Sequence, residues 1–358
     1  MGAACSSPPL ADPVRLPTRA HRIWIMALCA AGLALMAAAL PYKPAGMDDF
    51  LPFYRSTRLL GSPDLFAQSA YNAQGLMFLR TPLYAWLLQP LGAMSYPHAR
   101  LFWMLLMVLA LAIAVWLWPG RRVRIAMALC WGLPTFFALA LGQDIGLVLV
   151  LTSVVARLWS KGREFPAGLV ASLFALKATF LPPVALVFLT RSRRGFYALL
   201  IGLAVHFVLC LAIQGPGWIP EYLAAIRSPF LDQAGARMPS IRAFTSGVPL
   251  AVFSATIYIW LWRAARSGSP IDALAAAFPL SLAASPHCYI YDLVLAVPLL
   301  ANAASPKTLR GLIAAIALSP APAILMSMAN PLGGAIAVAA ILLATAPLAW
   351  RGQNLDLA

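Results

Sequence analysis

The chain has 358 residues, of which 62% are hydrophobic and only 10% are charged, whereas a soluble domain has about 45–50% apolar and about 25% charged residues. This composition excludes an ordinary soluble protein and predicts an integral membrane protein built as one transmembrane bundle. The formal net charge is +15, but the basic residues lie in short segments between apolar runs. That pattern is typical of cytoplasmic loops beside anionic lipid and argues against a nucleic-acid-binding surface.

The first 40 residues predict a tail followed by a membrane span. Residues 1–22 contain four prolines and three arginines, which predicts a short disordered tail on the cytoplasmic side. Residues 23–40 carry no charge, and eighteen apolar residues are enough for a first transmembrane helix.

Residues 41–80 are predicted to form the first outer loop. Within this loop, Asp49 is placed to cap a short helix whose Phe50, Phe53 and Tyr54 share one face. We therefore expect an amphipathic helix that lies in the membrane interface.

The rest of the chain alternates between apolar runs and basic clusters. The apolar runs occupy 82–94, 98–118, 125–142, 145–159, 165–190, 196–213, 247–262, 270–285, 289–303, 311–328 and 331–349. With the first span, they predict a single all-α domain over 23–350, with about 11–12 transmembrane segments. A second outer loop is predicted at 215–245 and a cytoplasmic tail at 351–358.

The positive-inside rule constrains which segments cross the membrane completely. If all basic clusters are cytoplasmic, 82–118 needs an odd number of crossings and 165–190 an even number. The run 82–94 is short for a span, and Pro182-Pro183 would break a helix in the second region. We therefore expect half-spans in both regions, and the parity between 94 and 190 stays open. The outer loops and the segment around His287 are expected outside, and both termini inside.

A charged side chain inside a membrane span costs about 3 kcal/mol or more. Each such residue is therefore expected to be paired with an opposite charge or to have a function. Asp48 and Asp49 lie just past the outer end of the first span. They are either a helix cap with a solvated neighbour or the base of an active site. Lys177 has twelve uncharged residues before it and thirteen after it. It either reaches the interface as a snorkelling residue or holds a phosphate at the membrane boundary.

Three further polar positions are open to a structural and a functional interpretation. Gly142-Gln143-Asp144 is either a tight turn or part of a site, and Arg80 is either an interfacial anchor or a ligand-binding cation. The segment 285–292 brings His287, Tyr289 and Asp292 into one outer turn, and Asp292 is expected to need a partner.

The order of these motifs resembles glycosyltransferase family 87. The matching motifs are Asp49-Phe50-x-x-Phe53-Tyr54, Arg80-Thr81-Pro82-Leu83-Tyr84-Ala85 with Gln89-Pro90-Leu91, Arg100-x-x-Trp103, Gly142-Gln143, Ala167-Gly168 with Leu176-Lys177, and Pro286-His287-x-Tyr289-x-x-Asp292. Members of the family have the GT-C fold and include the phosphatidylinositol-mannoside mannosyltransferases. The resemblance extends from about residue 47 to residue 295.

The resemblance implies a membrane glycosyltransferase of the cell inner (plasma) membrane. Such an enzyme takes a mannose-like hexose from a polyprenyl-phosphate donor to a hydroxyl of a lipid or glycan acceptor, on the outer face and with inversion. The family's acidic residue falls on Asp49, with Asp48 as an extra neighbour, its late histidine on His287 and its span lysine on Lys177. We expect Asp49 to be the general base, Asp48 its helper, and His287 to lie near the donor phosphate or the acceptor.

Further residues in the matching motifs are expected to bind substrate or phosphate: Lys177, Arg80, Gln143, Tyr54 and Tyr289. The resemblance implies that no metal or other cofactor is needed, since basic residues can hold a lipid phosphate; the adjacent Asp48 and Asp49 are also able to hold a cation. The chain departs from many members at Arg80-Thr81, where they have a tyrosine and two prolines, and at Tyr291, where some have a second histidine. The sugar and the acceptor therefore stay open.

The main alternative is a multi-span transporter or lipid flippase with Lys177 and Asp292 as intramembrane sites. It predicts a central cavity that opens alternately to each side, with Asp49 alone on the surface. The enzyme predicts that Asp49, His287 and Lys177 line one pocket. A structural or assembly protein of the membrane, the third possibility, predicts neither and leaves Lys177 unpaired.

Overall fold

A computed structural model describes residues 48–71, 77–120, 122–228, 238–267, 269–304 and 307–350, with a few positions between 24 and 35. These residues form helices joined by turns, and the described part of the chain contains no strand. The all-α, polytopic membrane class is thereby confirmed. The predicted tails at 1–22 and 351–358 and most of the first span at 23–40 lie outside the described residues.

The helices are labelled here in chain order. They are α1 (Phe50–Leu59), α2 (Pro82–Leu87), α3 (Gln89–Gly92), α4 (Tyr96–Leu117), α5 (Arg122–Trp131), α6 (Leu133–Leu141), α7 (Ile145–Ser160), α8 (Glu164–Ala171), α9 (Leu181–Arg191), α10 (Arg193–Gln214), α11 (Trp218–Ile226), α12 (Gly247–Ser267), α13 (Pro270–Ala284), α14 (Val297–Ala303), α15 (Leu309–Leu318), α16 (Pro320–Ser327) and α17 (Pro331–Trp350). Short 3-10 helices cover Pro63–Phe66, Gln68–Ala70, Ser172–Phe180, Ile241–Ala243 and Ile290–Ala296.

Fewer helices have the length of a span than there are apolar runs. Within the described ranges, five stretches are long and apolar enough to cross a membrane, or up to seven if two bent pairs each count as one span. The five are Tyr96–Leu117, Glu164–Arg191, Arg193–Gln214, Gly247–Ser267 and Pro331–Ala349. Several of the 11–12 predicted segments form shorter helices, such as α7 and α13.

The long helices have the side-chain distribution of a membrane bundle. On α4, Trp103, Met107 and Leu111 are buried, whereas Leu105 and Leu109 are exposed although they are equally apolar. Apolar side chains can be exposed on such a face because they contact lipid chains, which are as apolar as they are.

The two regions expected to contain half-spans are both interrupted. The run 82–94 is divided between the short helices α2 and α3. In 165–190 the break lies at Lys177, whose φ of −126° and ψ of 78° are not helical, and not at Pro182-Pro183 as the sequence suggested. Pro182 lies in the first turn of α9, where a missing backbone N–H removes no helical hydrogen bond.

Helix α1 has the predicted place and aromatic face, but Asp49 does not cap it. The Asp49 side chain makes no capping hydrogen bond; instead the Phe50 N–H donates to Asp48 Oδ1 at 3.2 Å. The aromatic face is buried within the protein, with the Phe50 ring stacked 5.7 Å from that of Trp103. Asp49 is therefore available for a different contact.

Candidate active site

A cavity of about 470 Å³ lies where six separated parts of the chain meet. The predicted site residues on its wall are Asp49, Arg80, Gln143, Lys177, His287 and Tyr289. Asp292 and Tyr291 also line it. A volume in this range suits a small polar ligand such as a sugar phosphate.

Asp49 is held in the cavity by Gln143, whose Nε2 donates to Asp49 Oδ2 at 2.7 Å. Burial raises the pKa of Asp49 from 3.8 to about 6, against the opposing effects of the Gln143 hydrogen bond and of the nearby cations Arg80 and Lys177. A carboxylate with a pKa near 6 is still ionised at neutral pH and is a stronger base than an exposed aspartate. Asp49 is thus a carboxylate on the cavity wall that is more basic than an exposed aspartate.

Asp48 faces a different part of the protein and is not among the residues that line the cavity. Its Oδ2 accepts a hydrogen bond from the Tyr96 hydroxyl at 2.6 Å, and its Oδ1 lies 3.3 Å from Arg100 Nε. These contacts attach the start of α1 to α4. The adjacent carboxylates therefore have separate surroundings. The contacts of Asp48 suit a residue that anchors α1 better than one that assists Asp49 in the cavity.

The turn at 142–144 positions Gln143 and Asp144 side by side. Gly142 ends α6 with a φ of +76°, a conformation that favours glycine. A Cβ at Gly142 would lie only 2.6 Å from the Phe50 Cβ, so the close approach also requires glycine. The Trp103 indole N–H donates to the Gly142 carbonyl at 2.8 Å and fixes the turn against α4.

Three charged residues on the cavity wall, Arg80, Lys177 and Asp292, form a largely buried cluster with Asp144, which does not line the cavity. Arg80 binds Asp144 through Nε to Oδ2 at 2.7 Å and Nη2 to Oδ1 at 3.0 Å. The Lys177 Nζ lies 3.2 Å from Asp144 Oδ1 and 3.3 Å from Asp292 Oδ1. The cluster explains how a lysine is accommodated so far from either end of its apolar run, because it is paired with two carboxylates.

Asp144 was not singled out from the sequence as a site residue, although its turn was. Its side chain is only 2% exposed and contacts both cations. The signal available in the sequence was that Asp144, like Lys177 and Asp292, stands at or inside an apolar run and needs a partner.

The segment 285–292 folds back on itself and brings aromatic rings to the wall. The Tyr289 N–H donates to Asp292 Oδ2 at 2.9 Å, which fixes the carboxylate that pairs with Lys177. The His287 ring lies edge-on to Tyr289 with centroids 4.9 Å apart, and Tyr289 lies 5.3 Å from Tyr291. Aromatic faces of this kind suit the apolar face of a sugar ring.

Tyr54, expected to bind substrate, is not among the residues that line the cavity. Its hydroxyl donates to the Met94 carbonyl at 2.8 Å and accepts from Arg58 Nη2 at 2.9 Å, and its ring packs edge-on against Tyr96. The structure gives Tyr54 a part in holding α1 and does not bring it to the other site residues.

The sequence model of glycosyltransferase family 87 matches residues 78–286. This match covers more than half of the chain. The chain belongs to glycosyltransferase family 87. No curated protein and no solved structure gives a significant match. The matched region contains the 142–144 turn and Lys177. Asp49 lies 29 residues before its start, and His287 directly follows its end.

Family membership makes the chain a membrane glycosyltransferase, which requires a sugar donor and an acceptor. The transport alternative has Lys177 and Asp292 as intramembrane sites, and the two side chains are paired. It also expected Asp49 alone on the surface, whereas Asp49 shares a cavity with Lys177 and His287. Within the described ranges, no group of three or more His, Cys, Asp or Glu side chains is arranged to hold a metal ion.

Proposed function

We propose that this protein transfers a mannose-like hexose from a polyprenyl-phosphate donor to a hydroxyl of a lipid or glycan acceptor. The reaction takes place on the outer face of the cell inner membrane, with Asp49 as the general base and inversion at the anomeric carbon. The observation that carries this proposal is the common cavity, in which one basic carboxylate faces two cations and a histidine.

The acceptor hydroxyl loses its proton to Asp49 as its oxygen attacks the anomeric carbon. A sugar hydroxyl is a weak nucleophile, so a positioned base contributes about 10²–10⁴-fold to the rate. Because the hydroxyl displaces the phosphate directly, one bond forms on the face opposite the bond that breaks. A single displacement of this kind inverts the configuration.

The bond that breaks joins the anomeric carbon to the donor phosphate, which leaves as an anion and needs no proton. Arg80 and Lys177 stand at the cavity wall, where their positive charge stabilises the negative charge that develops on the phosphate oxygens. His287 lines the same cavity and is assigned to the donor phosphate or the acceptor. Gln143 orients Asp49 through its 2.7 Å hydrogen bond, so its role in this proposal is to position the base.

A polyprenyl-linked donor is consistent with the membrane setting. The site belongs to a chain with five to seven candidate spans in its described part, and a lipid phosphate that is already in the membrane can be held by basic residues alone.

The test is transfer by the purified protein in lipid nanodiscs, with polyprenyl-phosphate mannose as donor and a mixed lipid and glycan fraction as acceptor. Wild-type protein is expected to form a product of inverted anomeric configuration. Asp49→Asn is expected to lower transfer by at least about 100-fold with unchanged expression and monodispersity. Full activity in Asp49→Asn would overturn the assignment of the base.

The matched control is Asp48→Asn, which removes the neighbouring carboxylate of the same type. Asp48 contacts Tyr96 and Arg100 and is not a cavity-lining residue. We expect it to keep transfer within about tenfold of wild type while its thermal midpoint falls, since a partly buried ion pair is lost. Equal loss of transfer in both variants would mean that the two carboxylates act as one unit.

A further inference from the structure

Asp144 contacts both cations of the cavity and is the most connected carboxylate of the charge cluster. Arg80 approaches it with two N–H groups at 2.7 and 3.0 Å, and Lys177 approaches the same oxygen, Oδ1, at 3.2 Å. A two-point contact between guanidinium and carboxylate fixes the orientation of both planes. The position of Arg80 in the cavity therefore depends on Asp144.

These contacts leave hydrogen-bond donors on both cations for a ligand. Arg80 has five N–H donors, of which three are engaged, with Asp144 and with the Leu79 carbonyl. Lys177 has three, of which two are engaged, with Asp144 and Asp292. A phosphate in the cavity can thus be bound by N–H groups that remain while the cluster stays intact.

The charges of the cluster balance. Two cations, Arg80 and Lys177, meet two carboxylates, Asp144 and Asp292, and Asp49 stands beside them in the same cavity. A buried pair of opposite charges avoids most of the penalty that a single buried charge would incur. Without Asp144, the cluster would carry one uncompensated positive charge next to the base.

We propose that Asp144 is a positioning residue of the transferase site, which fixes Arg80 and Lys177 toward the donor phosphate and limits their combined positive charge at Asp49. This inference rests on the proposed function, since it assumes that a donor phosphate enters the cavity. It goes beyond that function because it assigns the orientation and the charge balance of Arg80 and Lys177 to one carboxylate, Asp144, which contacts neither the sugar nor the acceptor.

The kinetic consequence is a split between binding and turnover. In Asp144→Asn, the extra positive charge attracts the anionic donor in the ground state, whereas the lost two-point contact leaves Arg80 free to move. Stronger binding of substrate and transition state alike lowers KM without raising kcat, and poor orientation lowers kcat. The variant is therefore expected to have an unchanged or lower donor KM and a kcat reduced by about 10- to 100-fold.

The electrostatic consequence concerns the protonation of Asp49. The charged groups that act on Asp49 are Asp48, Arg80 and Lys177. The cavity also presents the carboxylate of Asp292, paired with Lys177, and the side chains of Tyr222, His287, Cys288, Tyr289 and Tyr291. Since Arg80 and Lys177 lower the pKa of Asp49, removing the carboxylate that offsets their charge strengthens their effect. Asp144→Asn is expected to move the titration midpoint of Asp49 downward by about one unit.

The experiment is an infrared pH titration of the carboxyl groups of the purified full-length protein, which requires no substrate. The band of Asp49 is identified by its absence in Asp49→Asn. A lower midpoint in Asp144→Asn supports the proposal, and an unchanged or higher midpoint overturns it. In the kinetic assay, a donor KM that rises together with the loss of kcat also overturns it, because that result means general damage to the site.

A charge-balanced double variant provides the matched control. Arg80→Gln combined with Asp144→Asn removes one charge of each sign, so the Asp49 midpoint is expected to return toward the wild-type value. If Asp144→Asn alone does not fold, Arg80→Gln is compared with the double variant instead. Arg80→Gln raises the midpoint and the added Asp144→Asn lowers it again; identical midpoints in the two overturn the proposal. Should wild-type protein not use the polyprenyl donor, the titration still decides the charge role of Asp144.

Discussion

Asp48 and Asp49 are adjacent carboxylates with different surroundings. Asp48 faces Tyr96 and Arg100, whereas Asp49 faces Gln143 and the cavity. The N–H of Phe50 is bound by Asp48, so Asp49 is not needed as a cap. One residue anchors the helix, and the other is left in a partly desolvated place where a carboxylate becomes more basic.

The pH dependence of transfer is expected to follow Asp49. A base acts in its ionised form, so kcat/KM should fall tenfold for each pH unit below about 6, the pKa to which burial raises Asp49. Gln143→Leu removes a hydrogen bond that lowers this pKa, so the acidic limb should move to higher pH. The measurement is kcat/KM for the donor between about pH 4.5 and about pH 9, a range that covers the acidic limb and the plateau above it.

Asp48→Asn serves as the control for this pH profile. Asp48 raises the pKa of Asp49 by charge repulsion, but less than burial does, so its removal should move the limb slightly to lower pH. An acidic limb that stays in place in Gln143→Leu would show that a group other than Asp49 controls the rate.

Asp49 should also reduce stability at neutral pH. Its folded-state pKa of about 6 lies above the ordinary value of 3.8, so the folded protein binds the proton more tightly than the unfolded chain does. The contribution of Asp49 to the free energy of unfolding is therefore most favourable below pH 3.8, and it is lost as the pH rises through about 6. Two pKa units correspond to at most about 3 kcal/mol.

Asp49→Asn is therefore expected to unfold at a higher temperature than wild type at pH 8 and at nearly the same temperature at pH 4, in thermal scans of the detergent-solubilised protein. The gain at pH 8 would accompany the loss of transfer, as occurs when a catalytic residue is held in an unfavourable place. A lower midpoint at pH 8 would argue that Asp49 is a structural carboxylate.

At the scale of elements, the break at Lys177 connects the helix path to the site. The 3-10 helix Ser172–Phe180 follows α8 directly and contains non-helical dihedrals at Lys177. The bend brings the ammonium to Asp144 and Asp292. The proline pair predicted a break in the correct region, but proline is tolerated in the first turn of a helix, and the non-helical dihedrals occur at Lys177 instead.

The crossing of α8 and α10 depends on glycine. A Cβ at Gly168 would lie 2.0 Å from the Gly195 carbonyl oxygen, which belongs to the backbone and cannot turn away. Small residues at such crossings let membrane helices approach closely. Because α8 leads into the segment that carries Lys177, the crossing also sets the position of the cation.

Gly168→Ala is accordingly expected to destabilise the protein by about 1–3 kcal/mol, since overpacking moves one helix, and to reduce transfer. Gly217→Ala is the matched control, because a Cβ there meets only Glu221 Oε1, at 3.6 Å. Thermal midpoints of the two variants in the same lipid and detergent check the prediction. Equal midpoints would show that the crossing adjusts without cost.

At the scale of the whole molecule, the sequence predicted the helices well, but it predicted only some of the contacts between residues that are distant in the chain. Apolar runs locate helices because periodicity and length are local properties. The order of the motifs indicated the family, and all the expected site residues except Asp48 and Tyr54 line one cavity. The pairing of Arg80 with Asp144 joins positions 64 residues apart, and no local pattern specifies which charge meets which. Tyr54 and Asp48 show the same limit, since adjacency in sequence did not bring them to the cavity.

The orientation of the chain in the membrane can be tested at two positions outside the apolar runs. The positive-inside rule predicts that Asp64, in the first outer loop, faces the outside and that Ser267, the last residue of α12 and the neighbour of Arg266, faces the cytoplasm. In a variant that lacks the five native cysteines, Asp64→Cys should react with a membrane-impermeant maleimide on intact cells. Ser267→Cys should react only after permeabilisation.

This labelling pattern decides where the donor is used. Asp64 belongs to the same loop as Asp49, separated from it by α1, so the side on which Asp64 is labelled is the side of the cavity. Labelling of Ser267 but not Asp64 on intact cells would place the cavity on the cytoplasmic side. In that position a soluble nucleotide sugar could reach it, and the reason for preferring a lipid-linked donor would be lost.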